Sequence, residues 1–422
     1  MGSWLAPALS ALEDDRAVML DLLTSLVRTP SVTGSDAEHE ALGSVAAWLG
    51  REGMEVDHWE VDLDALTSRD DFPGSEAPRT QAWGLVGRMA GRGDGPRLMF
   101  NGHIDVVPAG EVGPWPGGGP FSAAVRAGAL HGRGTCDMKG GLVAALWAAR
   151  ALRRCGAPLR GDLLVACVEG EEDGGLGTFA TLERGWSADA CVIPEPTNLD
   201  LVPAAAGALT FRLRIVGKAV HASRHLEGIS ALGKLWPIWQ ALQTLERERN
   251  SVVDPLFTRW EIPFPLCIGT VVSGVWASSV PDLLVAEGRL GVALGEPVEK
   301  ARHQLEQAVA AACELDPWLR DHPVTVEWWG GQFASGRLAA DSDLMARVAA
   351  AHALAGGAPQ DTWGAPYGSD LRLMASREIP TIHYGPGDAA LAHGPHESVP
   401  LAEVAAAART LTALALDVCG TA

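Results

Sequence analysis

At 422 residues, 47% hydrophobic and 20% charged, the chain is long enough for two or three cores and too apolar to be disordered. Its formal net charge of -19 argues against polyanionic partners, because nucleic acid and anionic membrane surfaces are repelled at long range. Seven scattered cysteines do not read as a disulfide framework, acids at Glu13, Asp14 and Asp15 fall where a secretory leader needs apolar residues, and no window holds the ~18 apolar residues of a membrane span, so a cytoplasmic location is expected.

Helical spacing covers residues 15–28 and 36–52, the second capped by Ser35 or Asp36. Short apolar runs with breaks of Gly, Pro or charge then predict strands at 54–61, 83–89, 97–101, 162–168 and 188–193, with an alanine-rich buried helix over 141–152. Alternating strands and helices predict an α/β unit. After Pro194-Glu195-Pro196 the pattern changes. Strand 210–216, helix 230–247, strands 266–272 and 283–292, helix 298–314 and strand 324–329 give the order β-α-β-β-α-β, a small α/β sandwich of about 120 residues inserted in the larger unit. A helix from Asp341 onward, a strand at 379–384 and a last helix over 401–418 return to the first unit.

Several segments carry candidate chemistry. Phe100-Asn101-Gly102-His103-Ile104-Asp105 ends a predicted strand in a His, a spacer and an acid. Residues two apart in an extended chain face the same way, so His103 and Asp105 can share a pocket, as metal ligand and tautomer-fixing carboxylate. A His–Asp pair that only steadies a strand end reads equally well. Asp137 sits in the glycine-rich turn Gly132-Arg133-Gly134-Thr135-Cys136-Asp137, either as a helix cap or as a carboxylate spanning two cations. Glu171-Glu172 follow a strand; an adjacent acid pair is usually solvated surface, and at a sheet edge it calls for a cation, one acid binding metal and the other handling protons. Glu195, between two prolines, is delivered to the carboxyl edge of the sheet by a buried strand; taken singly, it and His393 read equally as incidental. His393 lies in a loop of backbone-bending residues opened by Gly385.

Together these segments resemble the M20 metallopeptidase and amidohydrolase family. The resemblance spans nearly the whole chain through GHIDVVP, GRGTCDMKGG, GEEDGG, IPEPT, GKAVHAS, SSVPD, YGSD, YGPG and AHGPHES, in the family's order. It implies a mixed-sheet zinc-peptidase-like catalytic domain over 1–206 and 333–422, with an inserted α/β sandwich over 207–332 serving as lid and dimerisation module of a homodimer. It implies two Zn2+, replaceable by Co2+ or Mn2+: His103 and Glu195 on one, Glu172 and His393 on the other, Asp137 bridging. Glu171 would be the general base, Asp105 would orient His103, and His221 would stabilise the tetrahedral intermediate in the partner subunit's site.

The implied reaction is hydrolysis of a linear amide, deacylation (acetyl, formyl or succinyl) of a small N-acylated amino acid or amine, with a dipeptidase or carboxypeptidase as the alternative. A non-catalytic binding protein on this fold is the remote reading, since every ligand position is filled by a suitable residue. Two departures bear on the substrate. Ser278 stands where many relatives have Asn, and Gly291 stands where they carry a carboxylate-gripping Arg, so Ser278, Arg289 two residues earlier and Gly385 are the candidate substrate contacts.

Overall fold

The computed structural model describes residues 3–110 and 115–422. The described chain separates into two compact units, one of Ala205–Gly336 with Gly364–Ser369 and the other comprising the remainder. In chain order the principal strands are β1 (Glu55–Glu60), β2 (Trp83–Met89), β3 (Leu98–His103), β4 (Leu163–Val168), β5 (Ala190–Ile193), β6 (Leu201–Ala205), β7 (Gly207–Val216), β8 (Leu266–Ser273), β9 (Leu283–Val292), β10 (Thr325–Phe333) and β11 (Thr381–His383). The principal helices are α1 (Leu5–Asp14), α2 (Arg16–Arg28), α3 (Asp36–Arg51), α4 (Gly140–Arg154), α5 (Leu176–Glu183), α6 (Ala231–Arg249), α7 (Val298–Leu315), α8 (Leu344–Leu354) and α9 (Leu401–Val418).

The larger unit is built on a mixed sheet in the order β1-β2-β4-β3-β5-β11-β6. β3, β4, β5 and β11 run parallel, while β1, β2 and β6 pair antiparallel. Every residue of β3, β4 and β5 is buried, as expected of central strands covered on both faces, and this explains their unbroken apolar runs. On one face α4 presents alanines and leucines to α9 and α1, and its buried residues form the largest core cluster with Leu411, Leu414 and Leu12. At Gly141 a Cβ would fall on the carbonyl oxygen of Pro194, so only glycine lets α4 begin this close to the end of β5.

The second unit is a four-stranded antiparallel sheet, β8-β9-β7-β10. Alternation along β7 sends Leu209, Phe211, Leu213 and Ile215 inward, against Ile238 and Leu242 of α6 and Leu305 and Val309 of α7. The fold class is thus α/β in both units, with the β-α-β-β-α-β order expected of the insertion. Among the described residues no helix is long and apolar enough to cross a membrane.

Candidate metal centre

The parallel registers fix where the site lies. His103 aligns with Val168, and Ile193 with His383, so the carboxyl ends of β3, β4, β5 and β11 share one edge, where open α/β sheets gather their ligands. His103 is the last residue of β3. Glu171 and Glu172 follow β4, Glu195 follows β5, and Gly385 follows β11. Asp137 arrives from the turn before α4, where it is extended (φ -114°, ψ 94°) and Met138 after it is also non-helical.

These side chains converge. One oxygen of Asp137 stands 3.2 Å from His103 Nε2 and the other 3.4 Å from His393 Nε2. Glu195 Oε1 is 3.9 Å from His103 Nε2, and Glu172 Oε2 is 3.3 Å from His393 Nε2. Donor atoms of His103, Asp137 and Glu172 all lie within 4.8 Å of one another. Asp137 therefore faces two imidazoles, each with a further carboxylate beside it, a nitrogen-and-oxygen donor set suited to borderline divalent cations.

The electrostatics fit a cation as well. Burial, then Asp137, raises Glu172; burial, then Asp370, holds Glu171 well above the usual carboxylate range; Glu195 is likewise raised by burial and by Asp137. Burial would lower the His103 pKa, but Asp137 and Asp105 outweigh it, and hydrogen bonds to Asp137 and Glu172 push His393 up to about 11. Burial would raise Asp137, yet its two imidazole partners hold it low. Crowded carboxylates demand positive charge, and protons on two metal-type histidines supply it when no cation does.

Asp105 differs in detail from its expected part. His103 Nδ1 donates to the backbone oxygen of Asp105 at 2.9 Å, and the carboxylate is 3.6 Å away. The carboxylate instead accepts the N–H groups of Glu171 and Glu172, each at 3.2 Å, and the Thr33 hydroxyl at 2.9 Å. One residue thus orients the histidine through its main chain and the two glutamates through its side chain. Gly385 is buried, and a Cβ there would collide with the Pro194 and Glu195 carbonyl oxygens. It keeps Glu195 in place by close backbone approach.

A model of peptidase family M20/M25/M40 matches residues 99–417. The chain belongs to that family. Within its circle of relatives it is 31% identical over 408 residues to the succinyl-diaminopimelate desuccinylase of Gluconacetobacter diazotrophicus, covering 92% of this chain and 93% of the relative. It is 28% identical over 345 residues to the N-formyl-4-amino-5-aminomethyl-2-methylpyrimidine deformylase of Halalkalibacterium halodurans, covering 76% of this chain and 79% of the relative. Among solved structures the dipeptidase Dug1p of Saccharomyces cerevisiae superposes with TM-score 0.82 at 15% identity, covering 100% of both chains. This M20 chain is a metal-dependent amidohydrolase.

His221, Ser278 and Arg289 belong to the second unit. His221 and Ser278 are exposed neighbours: His221 bridges to Ser279, and the Ala222 N–H donates to the Ser278 carbonyl. Arg289 is further along β9, paired with Thr210 and Cys267 and set over the Phe333 ring, and is not brought to them.

Sequence reasoning passed over the charged residues behind the site. Asp173 Oδ2 accepts from Ser75, from the Glu76 and Ala77 N–H groups and from Arg79, whose guanidinium also meets Glu38 at 3.3 Å. Burial, then Asp105, pushes Glu38 up to about 9. This cluster anchors the loop immediately after Glu172. The signal was there in GEEDGG, where a third acid beside an acid pair needs a partner of its own.

Proposed function

We propose that this M20 chain is a two-metal N-deacylase that removes a formyl, acetyl or succinyl group from a small amino acid or amine. The observation that carries the reading is the Asp137 carboxylate, each oxygen of which faces a different histidine. In this reading His103 and Glu195 would hold one cation, Glu172 and His393 the other, and Asp137 would serve both. Zinc suits that donor set, with cobalt or manganese as substitutes. When bound, the metals supply Lewis acidity, making water nucleophilic near neutral pH and polarising the amide carbonyl.

Glu171 has the general-base role: it takes the proton of the attacking water and returns it to the leaving amine nitrogen. Burial and Asp370 lift its carboxyl, which favours a carboxyl able to hold a proton between the two steps. Asp105 keeps Glu171 and Glu172 on separate tasks by binding both of their N–H groups. His221 donates to the developing oxyanion in the site of a partner subunit, the inserted unit serving as lid and dimer module. Its Nδ1 accepts from Ser223 N–H and Oγ–H, which favours the tautomer with the proton on Nε2, a donor. Ser278 and Gly385 remain the proposed substrate contacts, with Arg289 proposed at a separate point along β9, and the enzyme is assigned to the cytoplasm.

The test is hydrolysis of N-formyl, N-acetyl and N-succinyl amines and of dipeptides by the zinc- and cobalt-loaded protein. Turnover of an N-acyl amine above all dipeptides supports the proposal. Preference for dipeptides replaces it with the peptidase reading, and turnover of nothing in either metal form overturns both.

A further inference from the structure

His103 and Glu195 sit at the ends of buried strands, and the sheet holds them. His393 has no such support. It lies in a loop between the turn Ala389–Leu391 and the short strand Ser398–Pro400, its side chain is 55% exposed, and its φ of 60° is in the left-handed region that residues with a side chain rarely adopt. Something outside the loop must hold it beside Asp137 and Glu172.

Arg133 and Glu397 do so across 264 residues of sequence. Their side chains are 3% and 0% exposed. Arg133 Nη1 donates to Glu397 Oε2 at 2.6 Å, and Nη2 donates to the backbone oxygen of His393 at 3.0 Å. The other carboxylate oxygen of Glu397 accepts the Cys136 N–H at 3.2 Å and the Asp137 N–H at 3.4 Å. The Trp115 ring covers the guanidinium, with Cζ 5.3 Å from its centroid. One ion pair thus grips the main chain of both Asp137 and His393, and its planar fork is what lets a single cation bind a carboxylate and a carbonyl together.

We infer that Arg133 and Glu397 are positioning residues that hold His393 beside Asp137 and Glu172, and so govern the affinity of the cation held by His393 and Glu172 more strongly than that of the one held by His103 and Glu195, which shares only Asp137 with the gripped segments. The inference rests on the two-metal reading above. It assigns the pair a selective effect, which a general structural role would not have.

The test is Co2+ titration of the metal-stripped full chain, followed by calorimetry and by the visible cobalt spectrum, in wild type, Glu397→Gln, Arg133→Lys and the double variant Arg133→Met/Glu397→Gln. The double variant leaves no unpaired charge at either of the two exchanged positions and so retains a route to a folded protein if a single variant does not fold. Glu296→Gln, which breaks the Arg249–Glu296 pair of the inserted unit, is the control and is expected to bind cobalt as wild type does. Wild type is expected to take two cations. In Glu397→Gln and the double variant the cation at His393 and Glu172 weakens about 10–100-fold and the one at His103 and Glu195 clearly less, and Arg133→Lys recovers part of that loss. Two wild-type affinities in folded Glu397→Gln and double variants would overturn the inference alone, as would equal weakening of both cations. Fewer than two cations in wild type would overturn the two-metal reading and this inference with it.

Discussion

Stripping the metals should destabilise the larger unit, and by more as the pH rises. Asp137, Glu171, Glu172 and Glu195 are crowded around two imidazoles at one sheet edge. A cation present at 100-fold above its dissociation constant stabilises the folded state by about 2.7 kcal/mol, so two contribute about 5 kcal/mol. At about 2–4 °C per kcal/mol for a unit of this size, chelation should lower the melting temperature by about 10–20 °C. The pH slope follows from the direction of each shift. Glu171, Glu172 and Glu195 are raised from an ordinary 4.5, so in the metal-free protein they oppose folding increasingly as pH climbs above that value. His103 and His393 are raised from 6.5, the latter to about 11; their contribution is complete below 6.5 and is lost as pH rises through the raised values. Asp137 is lowered, and its contribution is lost only as pH falls below its ordinary 3.8. Metal binding displaces the histidine protons and tightens with pH. Differential scanning calorimetry with and without chelator, at about pH 6 and pH 9, should show the gap widen at the higher pH. A gap of a degree or two, or one that narrows with rising pH, would refute the reasoning.

Glu171→Gln should cost about 10²–10⁴ in kcat while calorimetry still counts the wild-type number of cations, because in the proposed mechanism the side chain would move protons and hold no metal. Asp105→Ala orphans the Glu171 and Glu172 N–H groups and leaves the Thr33 hydroxyl only its longer bond to the Val106 carbonyl oxygen; urea unfolding should show a loss of about 3 kcal/mol, at ~1–3 kcal/mol for each of the two orphaned groups offset by local hydration. Its kcat should also fall about 10²-fold through misplacement of Glu171. Gly385→Ala drives a methyl group into the Pro194 and Glu195 carbonyl oxygens, and thermal unfolding should register about 1–3 kcal/mol of overpacking together with weaker metal retention. Wild-type melting and metal content in that variant would show that the approach of the two loops is not tight.

Elements whose partners are local or whose faces are simple were legible before any coordinates. β9 and α9 fall where alternation and helical spacing put them, at Leu283–Val292 and Leu401–Val418. α1 was missed because Pro7 interrupts its pattern, and β6 because LVPAA, short and with a proline, carries no alternation. Strand order was not readable, since the antiparallel β2 and β6 differ from their parallel neighbours only in what they pair with. The residues around the centre were visible because each closes a strand or opens a turn. The partners that aim them were not: Arg133 meets Glu397, and Arg79 meets Asp173, across stretches of chain with no periodic signal. Their trace in sequence is an ionisable side chain amid glycines and apolar residues, a setting in which a buried charge must have a partner.

Anomalous diffraction from crystals of the zinc-loaded protein tests the central claim most directly. Two peaks about 3.5–4 Å apart, with the Asp137 carboxylate between them, His103 on one side and His393 on the other, are the predicted result. A single peak, or two that do not share Asp137, would contradict the account.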